Sequence, residues 1–477
     1  MAHEVTGSLE ARAEGAVKNA FLQQALDVAT ERFITLRQAA YAEFQDPLAV
    51  RLAAKAARER AIARLDENLA RLAENVRRAG GHVHWAATAS EARAIVVGIA
   101  RERGVRTAVK SKSMASEEIH LNQALEAAGV RPVETDLGEW IIQLSGETPS
   151  HIIAPAIHLT KAQVAALLSK HVGRDLPAEA EALVAVAKQA LREEFIRADM
   201  GITGVNFAVA ETGTIVLVTN EGNGRLVTSH PRIHVALMGV DKVIETLDDL
   251  AALMRVLPRA ATGQKLSVYM TMVTGPRRPD EADGPDEFHL VVMDNGRSRV
   301  LRTPMEEALQ CLRCGACLNV CPVYREIGGH AYGAVYAGPI GMCLTPMIDP
   351  SAEAKSLCAA STLCGACLDA CPVVIDIPGM LLHLRAEAVR EGAFPWWERL
   401  GFRLLAYVLN SPALYRLAGR LGAKLTRPLV QDGWIRRLPS AGDRWTRLRD
   451  LPPIAERPFR ERWKDLAVAE SSERLSK

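Results

Sequence analysis

A chain of 477 residues, 48% hydrophobic and 24% charged, has room for two or three domains and the make-up of an ordinary globular protein. Its net charge of +2 gives no reason to expect a nucleic-acid binder. No apolar run reaches the roughly 18 to 20 residues of a spanning helix, and the opening MAHEVTGSLEARAEG carries acids where a signal peptide needs a basic start and an apolar core. A cytoplasmic protein is expected, with peripheral contact to the inner face of the membrane left open.

Residues 1–57 read as an Ala-rich helical extension, and 58–300 as an α/β domain. In the segment 58–79, Leu65, Leu69, Leu72 and Val76 share one helical face, with Gly80-Gly81 as the stop. Ser90 is placed to cap a helix ending at Gly104, and TAVK follows as a strand. Ser116 is placed to cap a helix ending at Gly129, and RPVET is the next strand. HIIAP, TIVLVTN, IHVALMG, LSVYMTMV and FHLVVMD are further short runs of β-branched or apolar residues. Strands alternating with helices predict a largely parallel sheet.

Candidate ligand-binding residues fall where this sheet would end. Asn220, Glu221, Asn223 and Arg225, in NEGNGR, follow the strand TIVLVT, and ligands of open α/β sheets bind beyond the carboxyl ends of strands. Arg225 has the planar fork that clamps a carboxylate. Lys110 and Lys112, in KSKSM, lie between a strand and a helix start that favours anions; Glu134, Asp136 and Glu139 add acids nearby. The plainer alternative is that the glycines and asparagines form turns and the lysines are solvated. His151, His158, His230, His234 and His330 are each more readily packed residues than bases, with His230 ahead because it follows the NEGNGR loop. No G-x-G-x-x-G follows a strand, so NAD or FAD is not expected.

All nine cysteines lie between Cys311 and Cys371. CLRCGACLNVCP has the C-x2-C-x2-C-x3-C-P spacing of two-cluster ferredoxins, and STLCGACLDACP repeats it with Ser361 in place of the first cysteine. In that pattern the fourth cysteine serves the other cluster. Cys311, Cys314, Cys317 and Cys371 are therefore expected to hold a first cluster, and Cys321, Cys364 and Cys367 a second, both most simply [4Fe-4S]. Four-cysteine zinc sites also use C-x2-C pairs but lack the third cysteine and the C-P repeat. The fourth ligand of the second cluster is open: Ser361, Cys358, Cys343, another ligand, or a three-iron cluster with none. Residues 301–390 form this segment.

Residues 391–477 read as helical and basic. They hold five of the seven tryptophans, and no acid occurs from Arg399 to Gln431, where Arg399, Arg403, Arg416, Arg420, Lys424 and Arg427 accompany stripes of leucine. A helical lid, a docking surface for a partner subunit and a basic interfacial helix near anionic lipid all fit.

Across nearly the whole chain the sequence resembles the iron–sulfur subunits of the bacterial lactate-utilisation system. The resemblance is carried by KSKSMASEEIHLNQALEAAG, ETDLGEWIIQLSGETPSHIIAPAIH, GITGVNFAVAETGTIVLVTNEGNGR, HAYGAVYAGPIG and the two cysteine motifs. It implies a LUD domain with a fold like the sugar-phosphate isomerase and CoA-transferase group, followed by an α-helical, ferredoxin-like two-cluster domain. It also implies a cysteine-rich A subunit and a smaller C subunit as partners, oxidation of L-lactate to pyruvate, and a serine at 361 as part of the pattern. An electron-transfer subunit with an unspecified acceptor is the function expected. The alternatives are a ligand-sensing or assembly module with structural clusters, and a subunit acting on a different 2-hydroxy acid.

Overall fold

Ten strands carry the α/β part: β1 (His82–Ala86), β2 (Thr107–Lys110), β3 (Arg131–Glu134), β4 (Met200–Gly204), β5 (Phe207–Val209), β6 (Thr214–Thr219), β7 (Ile233–Gly239), β8 (Val243–Ile244), β9 (Tyr269–Val273) and β10 (Glu287–Met293). Six pair in the order β1-β10-β7-β4-β2-β3, all parallel, and β8-β5-β6-β9 form a second sheet of mixed direction. Every residue of the central β7 is buried, as in a parallel sheet covered on both faces. In the computed structural model, residues 7–392, 396–439, 442–446, 449–460 and 462–463 are described. They fall into two units, Met1–Glu387 and Ala388–Lys477.

Several expected elements are placed differently. The 58–79 helix is two helices, Pro47–Ala63 and Leu65–Arg78, because Arg64 leaves helical geometry at φ −120°, ψ 39°. Thr88, not Ser90, caps Ala89–Glu102. Ser113, not Ser116, caps Met114–Glu118, and His120 at φ 49° separates it from Leu121–Ala127. HIIAP is no strand: the Nδ1 of His151 accepts the N–H groups of Ile153 and Ala154 and turns the chain. Sequence reading missed four strands, β1, β4, β5 and β8, and of these β4 lies inside the main sheet. Its glycines hide it, yet they are what the packing requires: a Cβ on Gly201 would lie 2.0 Å from the Val227 carbonyl oxygen, and one on Gly204 would lie 2.7 Å from Ser113 Oγ.

The N-terminal helices Ala20–Ala42 and Pro47–Ala63 pack on the helix Leu247–Thr262, with Tyr41 Oη donating to the Val256 carbonyl at 3.2 Å. They also reach the cysteine segment. Arg51 donates to the Cys371 carbonyl from Nε at 2.9 Å and from Nη2 at 2.7 Å, Arg37 donates to Asp369 O at 3.0 Å, and Lys55 bridges Glu307 and the Val374 carbonyl. The supposed extension is thus a clamp between the sheet and the second cysteine motif.

In the second unit, Trp396–Asn410 and Pro412–Thr426 are helices followed by the small antiparallel pair Val430–Gln431 and Trp434–Ile435. Phe402, Leu404, Tyr407, Leu417 and Leu425 are exposed. Among the described residues no helix is long and apolar enough to cross a membrane.

Candidate functional site

The two cysteine motifs fold into the same turn twice. Arg313 and Leu363 occupy matching positions at φ 59° and 56°, and Gly315 and Gly365 at φ 75° and 86°. Left-handed backbone costs a non-glycine residue roughly 1–2 kcal/mol, so both loops hold an unfavoured conformation in order to turn tightly. Gly315 is also needed for space, since a Cβ there would stand 2.8 Å from Cε1 of the buried His151.

Cys311, Cys314, Cys317 and Cys371 line one apolar chamber with Ile340, Val373, Ile375 and Ile377. Backbone N–H groups point at their sulfurs: Arg313 to Cys311 at 3.3 Å, Ala316 to Cys314, Ile340 to Cys317, and Val373 and Ile375 to Cys371. Cys321, which takes the N–H groups of Val323 and Tyr324, is the electrostatic neighbour of Cys364 and Cys367. Cys364 alone of the nine is exposed. All nine thiols are free. Burial pushes the Cys371 thiol up to about 11 and those of Cys314 and Cys317 well above their ordinary range.

Buried thiols ringed by N–H donors, with Arg37 and Arg51 nearby, suit thiolates held by metal, and such hydrogen bonds are those that tune iron–sulfur clusters. Among the described residues no three His, Cys, Asp or Glu side chains converge as a single ion requires. The sulfurs are set out around a chamber instead, so the donor set fits a polynuclear cluster.

A second cavity, of about 360 Å³, lies beyond the carboxyl ends of β2, β4 and β7. Its lining includes Ser111–Ala115, Asp136, Asn220–Glu221 and Asn223, and also Lys242, Arg297 and Leu312–Cys314. The cavity therefore opens onto the first cysteine loop, and Cys314 belongs to both spaces.

Of the expected ligand residues, Lys112, Asn220, Glu221 and Asn223 line this cavity; Lys110 and Arg225 do not. Lys110 is fully buried, with Nζ 2.5 Å from Glu134 Oε1 and 2.6 Å from Asn122 Oδ1. Arg225 lies on the exposed side of the helix Asn223–Ser229, while Asn223 and Gly224 face inward. Asn220 is held by Gln264 and by the N–H of Val268. No histidine lines the cavity among the described residues. His151 is neutral, its acid lowered to about 3 by burial. His234, also lowered to about 3 by burial, bonds Thr203 at 2.9 Å. His158 pairs with Glu147 at 2.7 Å, His330 meets the Thr148 carbonyl at 2.6 Å, and His230 ends its helix in solvent.

Sequence reading missed Lys242, Arg297 and Arg313. The first two follow β7 and β10 directly, so the rule used for NEGNGR would have found them had it been applied to every strand. Arg313 sits inside the cysteine motif, where only the cysteines drew notice. Around them Asp241 is fully buried, and four cations (these three and Arg58) hold its carboxyl far below the usual range against the cost of burial. Behind the lining residue Lys112, Glu139 at 3.5 Å is pushed up to about 8 by burial, and the lining residue Glu221 to about 7 by burial and Asp136.

A parallel α/β domain joined to a cysteine-rich helical segment that fits iron–sulfur clusters defines a class, and the comparisons with known proteins agree. The LUD domain family matches residues 69–293, the 4Fe-4S dicluster domain residues 307–375, and the C-terminal region of lactate utilisation protein B residues 385–467. Lactate utilization protein B of Bacillus licheniformis is 42% identical over 462 residues, 96% of this chain and 97% of its own. That of Shouchella clausii is 43% identical over 454 residues (95% and 96%), and that of Bacillus subtilis 41% over 472 residues (98% of each). A crystal structure of a DUF162 family protein from Deinococcus radiodurans aligns with 48% of this chain and 98% of its own, at 16% identity and a TM-score of 0.26. The chain is an iron–sulfur protein with a LUD domain, and it belongs to the lactate utilization protein B family.

Proposed function

We propose that the chain is the electron-transfer subunit of a complex that oxidises L-lactate to pyruvate, working with the A and C subunits of the lactate-utilisation system. The observation that carries this reading is the shared wall: Leu312, Arg313 and Cys314 border the cavity at the carboxyl edge of the sheet. A 2-hydroxy acid bound there lies beside the first cysteine loop. Its oxidation releases two electrons and two protons. Clusters, when bound, supply one-electron carriers. On this reading Cys311, Cys314, Cys317 and Cys371 hold one, and Cys321, Cys364 and Cys367 hold the other. Lys112 and Glu221 also line the cavity; a carboxyl raised to about 7, as that of Glu221 is, suits a proton acceptor. The exposed Cys364 puts the second motif where an external electron acceptor can approach.

The test is spectroscopic. The complex purified without oxygen, with full iron content, should lose visible cluster absorbance when L-lactate is added and recover it with an oxidant. Absorbance indifferent to L-lactate in a complex that holds all its iron would reject the reading.

A further inference from the structure

Asp241 is the hub of the cavity's cationic end, and its partners are unequally served. Arg297 is fully engaged: Nε donates to Asp241 Oδ1 at 2.7 Å, and its two terminal nitrogens reach Glu118 at 2.9 and 2.7 Å. Arg313 is not. Its Nη2 is 3.4 Å from Asp241 Oδ2, Nη1 is 3.5 Å from the Cys311 carbonyl, and Nε is buried with no acceptor. Its side chain is 8% exposed, and its guanidinium lies 5.1 Å from the centre of the Tyr336 ring. Lys242 Nζ lies 3.7 Å from the same Asp241 oxygen and 3.3 Å from the Cys311 carbonyl. Arg58, donating to the carbonyls of Asp241, Val243 and Leu309, adds a fourth cation. Four cations (Arg58, Lys242, Arg297, Arg313) thus gather about the carboxylates of Glu118 and Asp241 and the Cys311 sulfur, and of those that line the cavity only Arg313 keeps a buried N–H with no acceptor. A buried donor without an acceptor is costly, and an anionic oxygen entering the cavity that Arg313 and Lys242 line can supply one.

Two further observations separate this arrangement from the needs of the loop. Leu363 occupies the matching place of the second motif at nearly the same φ, so the turn itself does not need a guanidinium at 313. Gly239, whose Cβ would stand 2.3 Å from Asp241 Oδ1 and 2.5 Å from Arg297 Nε, leaves the end of β7 bare for the hub.

We propose that Arg313 and Lys242 form an anion subsite that fixes the carboxylate of a 2-hydroxy or 2-oxo acid against the first cysteine loop, an inference that rests on the cavity being the site of that acid. The fork of Arg313 takes both carboxylate oxygens, and Lys242 adds a point charge. The acid's second carbon is thereby held beside the residues that carry Cys311 and Cys314.

The experiment uses the full chain, purified without oxygen with its clusters, and titration calorimetry with pyruvate, oxalate, L-lactate and inorganic phosphate. The wild type should bind the carboxylates, and phosphate more weakly. Arg313→Leu, which copies the second motif, should weaken carboxylate binding about tenfold or more, the scale of one lost charge-assisted hydrogen bond. Arg313→Lys and Lys242→Met should each weaken it by a smaller factor. Oxalate should also perturb the electron paramagnetic resonance signal of the first cluster in the wild type and not in Arg313→Leu. Equal affinities in wild type and Arg313→Leu, at equal iron content, would overturn the subsite and leave the cavity reading standing. If Arg313→Leu loses iron, unchanged affinity in both Arg313→Lys and Lys242→Met overturns it instead. A wild type that binds no carboxylate removes the cavity reading and the subsite with it, and tighter binding of phosphate rejects the ligand class.

Discussion

Ser361 Oγ accepts the N–H of Leu363 at 3.1 Å, just as Cys311 Sγ accepts the N–H of Arg313 at 3.3 Å. The serine therefore stands in the second turn as the cysteine stands in the first. An alkoxide or hydroxyl oxygen binds iron less well than a thiolate, so an iron at that corner is expected to be the labile one. Cys343 lies on the buried helix Gly338–Ile348 and Cys358 on the short turn Leu357–Ala359, both outside the repeated loops. The double variant Cys343→Ala and Cys358→Ala should keep full iron content and an unchanged resonance signal. Loss of one whole cluster would make one of these cysteines the missing ligand.

The second prediction separates the clusters. Cys371 lines the chamber of Cys311, Cys314 and Cys317 although it belongs to the other motif, while Cys321 neighbours Cys364 and Cys367. Cys371→Ala should therefore abolish the first cluster and Cys321→Ala the second. Iron analysis and low-temperature resonance spectra distinguish them; the same cluster lost from both variants would refute the exchange of ligands between motifs.

What was legible in the sequence followed from strong local chemistry. The cysteine spacing located both turns, and the β-branched runs located most strands of the parallel sheet. β4 was not legible, because its glycines answer to the Val227 carbonyl and Ser113, neighbours distant in the chain. The caps at Thr88 and Ser113 were misplaced by two or three residues because each stretch offers more than one hydroxyl before its helix. Within the cavity, Lys112, Asn220, Glu221 and Asn223 were found from their places after strands. Lys110 and Arg225 share such places, but side-chain direction decides: Lys110 faces its register partner Glu134 across β2 and β3, and Arg225 turns outward.

That buried Lys110–Glu134 pair gives a stability prediction. Glu134 is 3% exposed, and Lys110 and Asn122 both bond its Oε1. Lys110→Met leaves the carboxylate without its cation and should cost about 3–5 kcal/mol, the usual penalty for breaking a buried pair from one side. The double variant Lys110→Met with Glu134→Leu should recover most of it. Urea denaturation midpoints of the two variants provide the check, and a single variant as stable as the wild type would show that the pair is not the constraint on β2 and β3.

Glu139 sets the last prediction, which concerns pH. Burial raises its acid from an ordinary 4.5 to about 8; Lys112 opposes the shift, and Glu134, Glu117 and Asp136 add to it. Between those values the native chain holds a proton that the unfolded chain has released. The native state therefore binds more protons, and stability falls as pH rises: this contribution is present in full below the unfolded value and is lost on passing the folded one, with a slope of up to about 1.4 kcal/mol per pH unit. Glu221, raised to about 7, acts with the same sign over a lower range. Glu139→Gln removes the titration while keeping the shape. Its melting temperature should fall less steeply than that of the wild type as pH increases through the range between the two Glu139 values, and above the folded value the variant should be the more stable protein. Parallel profiles for the two proteins across that range would show that Glu139 is already ionised in the native chain, with Lys112 as its full counter-charge.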